Sequence, residues 1–420
     1  MPRIGPTREL KWALEGFWRG TRDAQDLLNC AAVIREANWA LMAGAQVDFI
    51  PSNDFSLYDH ILDMIVALGV APARFGRRPA DNDVAGRLER YFAMARGGVV
   101  NGSEVVPLEL TKWFDTNYHQ LVAELDPGPN FEADPAKAVA ELREAADLGI
   151  TTTPVLIGPL TFLLRAAMAQ GSAGPWDRLE PVLACYAAIL AELEAAGARW
   201  VRIDEPSLVE DRSAEDLAAL RTAYRALGEL SERPRIAVST YFGHAGAALG
   251  ELRGLPIDGI GLDLCAGAQN LSLLAQAGGI GDKVLFAGVI DGRNVWKADL
   301  SSCLGMLVRL QDLAEEVVAS TSCSLLHVPV SLDAQKDIDP RVLPWLAFAK
   351  EKITELATLA KGVADGEESI KETLEANRAA LGSRRDSPLT ADARVRQALE
   401  AAPSDPRRAM AARARARAQA

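Results

Sequence analysis

The sequence predicts an α/β fold: a single TIM-type (β/α)8 barrel with a long excursion after its second strand and a helical C-terminal extension. Three observations predict it. Short β-branched or apolar runs alternate with long amphipathic stretches, each run ends in polar or Gly/Pro residues, and charged side chains gather at those ends, where a barrel places its ligand groups. Seven runs read as strands: Val47 to Pro51, Thr152 to Pro159, Trp200 to Pro206, Ile236 to Phe242, Gly259 to Leu264, Val284 to Asp291 and Val317 to Cys323. Helices are predicted over Thr21 to Ala43, Trp176 to Ala196, Ala214 to Leu230, Leu271 to Ala277 and Leu300 to Leu313, several followed by a Gly suited to a C-cap.

The stretch from Asp54 to Thr151 exceeds the other crossovers and contains a further apolar run, Pro107 to Phe114, read as an excursion rather than a repeat. An eighth strand must then precede Val47, and the extended candidate there is Pro2 to Gly5. Residues 1–350 are assigned to the barrel and 351–420 to a helical extension with a linker-like tail. The Ala/Arg-rich end, RRAMAARARARAQA, has no apolar periodicity to bury.

Composition narrows the function. Hydrophobic residues make up 49% of the 420 and charged residues 24%, enough for a large core, which excludes whole-chain disorder. A net charge of -12 argues against nucleic-acid binding, which needs a basic surface. Five scattered cysteines without a CxxC pair indicate neither a disulfide framework nor a zinc ribbon, and point to the reducing cytoplasm. Neither a signal peptide nor a membrane-length apolar run is seen. There is no GxGxxG after a strand, no P-loop and no GxSxG, so dinucleotide, nucleoside-triphosphate and serine-hydrolase chemistry lack support.

The strand ends carry Asn53 and Asp54, Gly158 and Pro159, Asp204 and Glu205, Tyr241, Asp263, Asp291 and Arg293, and Cys323 and His327. Asp204 and Glu205 suggest an acid–base pair, but neighbours on a strand face opposite ways, and a structural role for Asp204, capping a helix or holding an Arg, weighs at least equally. Cys323 with His327 is the one close pair among the four histidines and five cysteines, too little for a zinc site of about four ligands. No catalytic residue and no metal ligand is assigned. At the opening, Pro6 suits a first helical turn, which sets Arg8 and Lys11 on one face near free N–H groups that favour a carboxylate or phosphate. Lys112 adds a cation inside an apolar, aromatic run.

Taken together, PRIGPTRELKWALEGFW, DFIPSNDFSLYDHILD, ELTKWFDTNYH, PVLIGPLTFLL, IDEPSLV, STYFG, LPIDGIGLDL, AGVIDGRNVWKADL and SCSLLHVP resemble the N-terminal half of cobalamin-independent methionine synthase. The resemblance spans nearly the whole chain. It implies a barrel that binds 5-methyltetrahydropteroyl-polyglutamate for methyl transfer to homocysteine in methionine biosynthesis. Arg8, Glu9, Leu10, Lys11 and Lys112 are its implied folate-binding residues. It also implies that zinc and the homocysteine pocket belong to a C-terminal barrel outside this chain, that the chain opens at the end of the family's first strand, and that Asp263 and Cys323 are vestiges of a duplicated metal site. Three readings stay open: the folate-facing half of a synthase completed by a separate zinc barrel, a non-catalytic folate-binding or scaffold protein, and a fragment of a full-length enzyme.

Overall fold

Seven parallel strands run side by side in chain order: β1 (Ile50–Ser52), β2 (Thr152–Ile157), β3 (Trp200–Asp204), β4 (Arg235–Thr240), β5 (Gly259–Asp263), β6 (Val284–Ile290) and β7 (Glu316–Thr321). This is a computed structural model, and it describes residues 1–125, 131–168, 174–390 and 392–401. Each predicted run overlaps one of these strands. Helices Ala136–Asp147, Leu179–Ala195, Ala214–Gly228, Ala247–Gly254, Gln269–Gln276 and Leu300–Leu310 lie between successive strands. β5 is buried along all five residues, as a strand covered on both faces must be, which explains its unbroken apolar run.

The predicted eighth strand is absent among the described residues. Pro2 to Gly5 is not extended against the sheet. The chain bends there into a helix instead: Gly5 has φ +82°, Arg8 has φ +67°, and the N–H groups of Arg8 and Leu10 turn back to the carbonyls of Gly5 and Ile4. β1 and β7 are therefore both edges, facing a shared cavity of about 580 Å3. The edge shows in β7, whose first residue is exposed and whose other five are half-buried.

The aromatic rings of Phe49, Trp200 and Phe286 meet edge to face at the N-terminal ends of their strands, with centroids 4.9 to 5.8 Å apart. Outside the sheet, helix Ala349–Asp365 buries Ile353, Leu359 and the whole of Lys352, and lines the cavity with Leu356 and Ala360. Helix Lys371–Arg385 is fastened by Asn377, which accepts from the Leu300 N–H and donates to the Ala298 carbonyl. Residues 402–420 of the expected tail lie outside the described residues. No described helix is long and apolar enough to cross a membrane.

The excursion consists of helices His60–Ala67 and Val84–Arg96 and two hairpins, 98–105 and 110–121. The apolar run read at Pro107 to Phe114 becomes the first arm of the second hairpin, paired Lys112 to His119, and takes no part in the main sheet.

Glu205, directly after β3, ties these layers together. Its carboxylate accepts from the N–H groups of Leu160 and Thr161 and from the hydroxyls of Thr161 and Tyr224, at 2.6 to 3.0 Å and with no exposure. Burial pushes its pKa up to about 7, and the four donors oppose that. Gly158 is required beside it, because a Cβ there would lie 2.1 Å from the carboxyl carbon. Glu205→Gln should cost about 2 kcal/mol or more, since each oxygen faces a main-chain N–H that an amide nitrogen cannot satisfy. Denaturant titration measures it, and a loss under about 0.5 kcal/mol, an ordinary surface effect, would refute the assigned role.

Candidate functional site at the mouth of the sheet

The tip of the hairpin, Trp113 to Tyr118, lies across the C-terminal ends of the strands. Thr116 shapes it, donating its hydroxyl to the Trp113 carbonyl and accepting from the Tyr118 N–H. Its rings dock onto distant loops: Phe114 on Phe242 after β4, at 5.5 Å, and Tyr118 on His327 after β7, at 5.3 Å. Trp113 meets His60 at 4.4 Å. Arg293, after β6, packs 4.9 Å from the Phe242 ring and pairs with Asp115 at 3.0 Å. Arg165 stacks on Phe114 at 4.0 Å and pairs with Glu210.

Backbone strain collects here. Phe114 and Phe242 adopt φ +51° and +78°, a region bulky side chains avoid. Arg8, at φ +67°, and Asn53, at φ +58°, share it, Asn53 being the type that tolerates it best. Asn53 is held by the Glu141 carboxylate, the Val155 carbonyl and Lys137.

The five expected folate-binding residues fall into two groups. Helix Glu9–Trp18 begins at Glu9, so Pro6 precedes it rather than forming its first turn. Arg8 is its exposed N-cap. Glu9 folds back to accept from the Thr7 N–H and hydroxyl, and Lys11 sits 3.8 Å from Glu15 and over the Trp12 ring. The side chain of Leu10 is buried with Ala13, Leu27 and Phe55, so it offers nothing to solvent. Lys112 is exposed on the hairpin and makes no ion pair among the described residues. The bridge between the two segments is Arg3, whose guanidinium carbon lies 5.9 Å from the Tyr118 ring centroid. Arg3 and Phe242 carry no local mark in the sequence, being an arginine ahead of a helix and a phenylalanine after a strand.

The carboxylates at the strand ends are engaged structurally. Asp204 holds Arg202 through two hydrogen bonds and accepts from Tyr241, while Glu205 points the other way to cap helix Pro159–Leu164. Asp204 thus takes the structural role of holding an Arg. Asp263 accepts from the N–H groups of Phe242, Cys265 and Ala266. Cys323 is buried, and burial raises its thiol pKa. Cys265 and Cys303 are pushed up to about 12 for the same reason, so neither is poised as a thiolate. Among the described residues, no group of three or more His, Cys, Asp or Glu side chains is arranged to hold a metal ion.

Comparison with known proteins gives a consistent picture. A family profile described as "Cobalamin-independent synthase, N-terminal domain" matches residues 1–315. Relatives called 5-methyltetrahydropteroyltriglutamate–homocysteine methyltransferase include one from Streptomyces coelicolor, 49% identical over 96% of this chain and 52% of the relative. One from Mycobacterium tuberculosis is 44% identical over 95% of this chain and 51% of its own length. The chain thus spans about half the length of the curated relatives it matches. Among solved structures, a B12-independent methionine synthase from Shewanella aligns with TM-score 0.54 at 16% identity, covering 85% of this chain and 92% of that one, which speaks to the fold alone.

Two histidines make the mouth acid-sensitive. Burial, helped by the Arg3 charge, pushes His60 down to about 3, and burial with Arg293 pushes His327 down to about 4. Both are neutral when folded and protonate when unfolded below the ordinary value of about 6.5, so their contribution is present above that pH and is lost as pH falls toward 4. The buried carboxylates Asp59 and Glu205, raised to about 7, act in the opposite sense. His60→Phe isolates one term: its stability loss between about pH 7.5 and 4.5 should be smaller than wild type's by on the order of 2 kcal/mol. Equal losses in parallel denaturation series would contradict this.

Proposed function

The chain belongs to the cobalamin-independent methionine synthase family, in its N-terminal-domain type, and from that we propose that it is the folate-facing half of a methyl transfer from 5-methyltetrahydropteroyltriglutamate to homocysteine. The observation that carries the reading is the pair of exposed cations, Arg8 and Lys112, whose side chains have no ion pair or hydrogen bond among the described residues. A polyglutamate tail bears several carboxylates, and cations already engaged with carboxylates would gain little from it. The Lys11 stem lies beside Arg8 on the same helix, where the N-terminal N–H groups add favourable potential. Leu10 supports the site from beneath, and Glu9 fixes the turn that presents Arg8.

In this reading the chain's own residues bind and orient the donor, and activation of the homocysteine thiol takes place elsewhere. Zinc, where bound, would lower the pKa of that thiol. Since no metal-holding group is arranged among the described residues, we assign it to a separate barrel. The five free cysteines suit the cytoplasm.

Calorimetry with pteroyltriglutamate tests the binding half of the proposal. Lys112→Ala and Arg8→Ala should each weaken binding by about tenfold, the loss of roughly 1.4 kcal/mol expected for one charge-assisted contact. Mixing the chain with a zinc-barrel homologue, homocysteine and the methylated donor should raise methionine formation above that of either alone. Binding without any gain on mixing would favour a non-catalytic folate-binding protein, and no binding would reject both.

A further inference from the structure

Arg3 is half-buried at the mouth, and its charge acts on Tyr58, Asp59, His60, Tyr91 and Tyr118, which places it among groups from three separate segments. Among the described residues its guanidinium makes no ion pair and no hydrogen bond, only the stack on Tyr118. The other guanidiniums nearby are all engaged: Arg165 with Glu210, Arg202 with Asp204 and Arg293 with Asp115. Asp59, the nearest candidate counter-charge, is committed to the N–H groups of Ile61, Leu62 and Leu121. With only a ring beside it among the described residues, the guanidinium keeps its hydrogen-bond donors open to a carboxylate.

We propose that Arg3 is a further ligand-binding residue, taking a carboxylate that sits next to an aromatic ring rather than one at the far end of a tail. The setting supports that class. Tyr118, His327 and Phe242 form a chain of rings with centroids 5.3 and 5.5 Å apart, all half-buried, and the guanidinium lies over the first of them. Planar guanidinium groups pair with carboxylates through two parallel hydrogen bonds while stacking on rings. Arg8 and Lys112 are more exposed and suit outer carboxylates. This assignment rests on the folate reading, in which the carboxylate closest to the aminobenzoyl ring is the α-carboxylate of the first glutamate.

Calorimetry on the full chain with pteroylmonoglutamate and pteroyltriglutamate tests it. Arg3→Gln should weaken both probes by the same factor, about tenfold, because both share the first glutamate. Arg8→Ala and Lys112→Ala should weaken the triglutamate more than the monoglutamate. Arg3→Lys should recover part of the affinity, and neither Arg8→Ala nor Lys112→Ala should mimic the uniform loss. The melting temperature of Arg3→Gln should stay within about 2 °C of wild type, since the change removes one half-exposed ring contact and no ion pair or hydrogen bond to a described residue. Unchanged affinity for both probes in Arg3→Gln, a loss confined to the triglutamate, or a loss tracking a fall in melting temperature would each overturn the inference. Triglutamate binding that depends on Lys112 but ignores Arg3 would overturn this assignment alone, whereas a wild-type chain that binds neither probe would overturn the folate reading with it.

Discussion

A carboxylate sealed away from water holds this architecture in register. Glu205 closes the free N–H groups of helix Pro159–Leu164, reaches the Tyr224 hydroxyl on the helix that follows β3, and lies against Gly158 so closely that no side chain fits there. The Thr161 hydroxyl donates to it and accepts from the Ser207 N–H, carrying the network into the loop after β3. The motifs around Gly158 and around Glu205 are thus two halves of one joint. Its value lies in the completeness of the donor set, because a buried acid with even one donor missing would be a liability.

The sheet behind that joint is asymmetric. Five of its strands have a neighbour on each side, while β1 and β7 each present an unpaired edge to the same cavity. The interior near that edge is polar where the strands end and aromatic where they begin, with Arg202, Asp204 and Tyr241 linked above and Phe49, Trp200 and Phe286 in contact below. Helix Ala349–Asp365 shields the outside of the opening and buries a whole lysine, Lys352, against the Trp296 carbonyl and the Asn294 side chain. Helix Ala349–Asp365 is therefore integrated with the sheet, whereas residues 393–400 are exposed.

Much of the sheet was legible because strands buried on both faces leave continuous apolar runs, as in the five residues of β5. The closure was not, because hydrogen bonding at an edge depends on where a distant segment goes, and Gly5 and Arg8 turn the opening aside through positive φ values no pattern reveals. Arg8, Lys11 and Lys112 were recognisable as cations in unusual settings. The ring contacts that assemble the mouth join Phe114 to Phe242 and Tyr118 to His327, pairs too far apart in sequence for local periodicity to report. Arg3 was invisible for another reason: its interest comes from having no anionic partner among the described residues, which only a three-dimensional inventory of charges can show.

The positive φ angles of Phe114 and Phe242 bear on how such a protein would respond to selection. At either position Gly or Asn would sit more comfortably in the backbone, which gives up on the order of 1 kcal/mol to keep an aromatic residue there. Laboratory evolution for heat resistance alone would reward replacing both rings and would dismantle the surface that joins the hairpin to β4. Lineages still under pressure to use the mouth should keep the aromatic residues against that gradient, so the two positions can serve as a record of whether a given descendant has retained its task or only its fold.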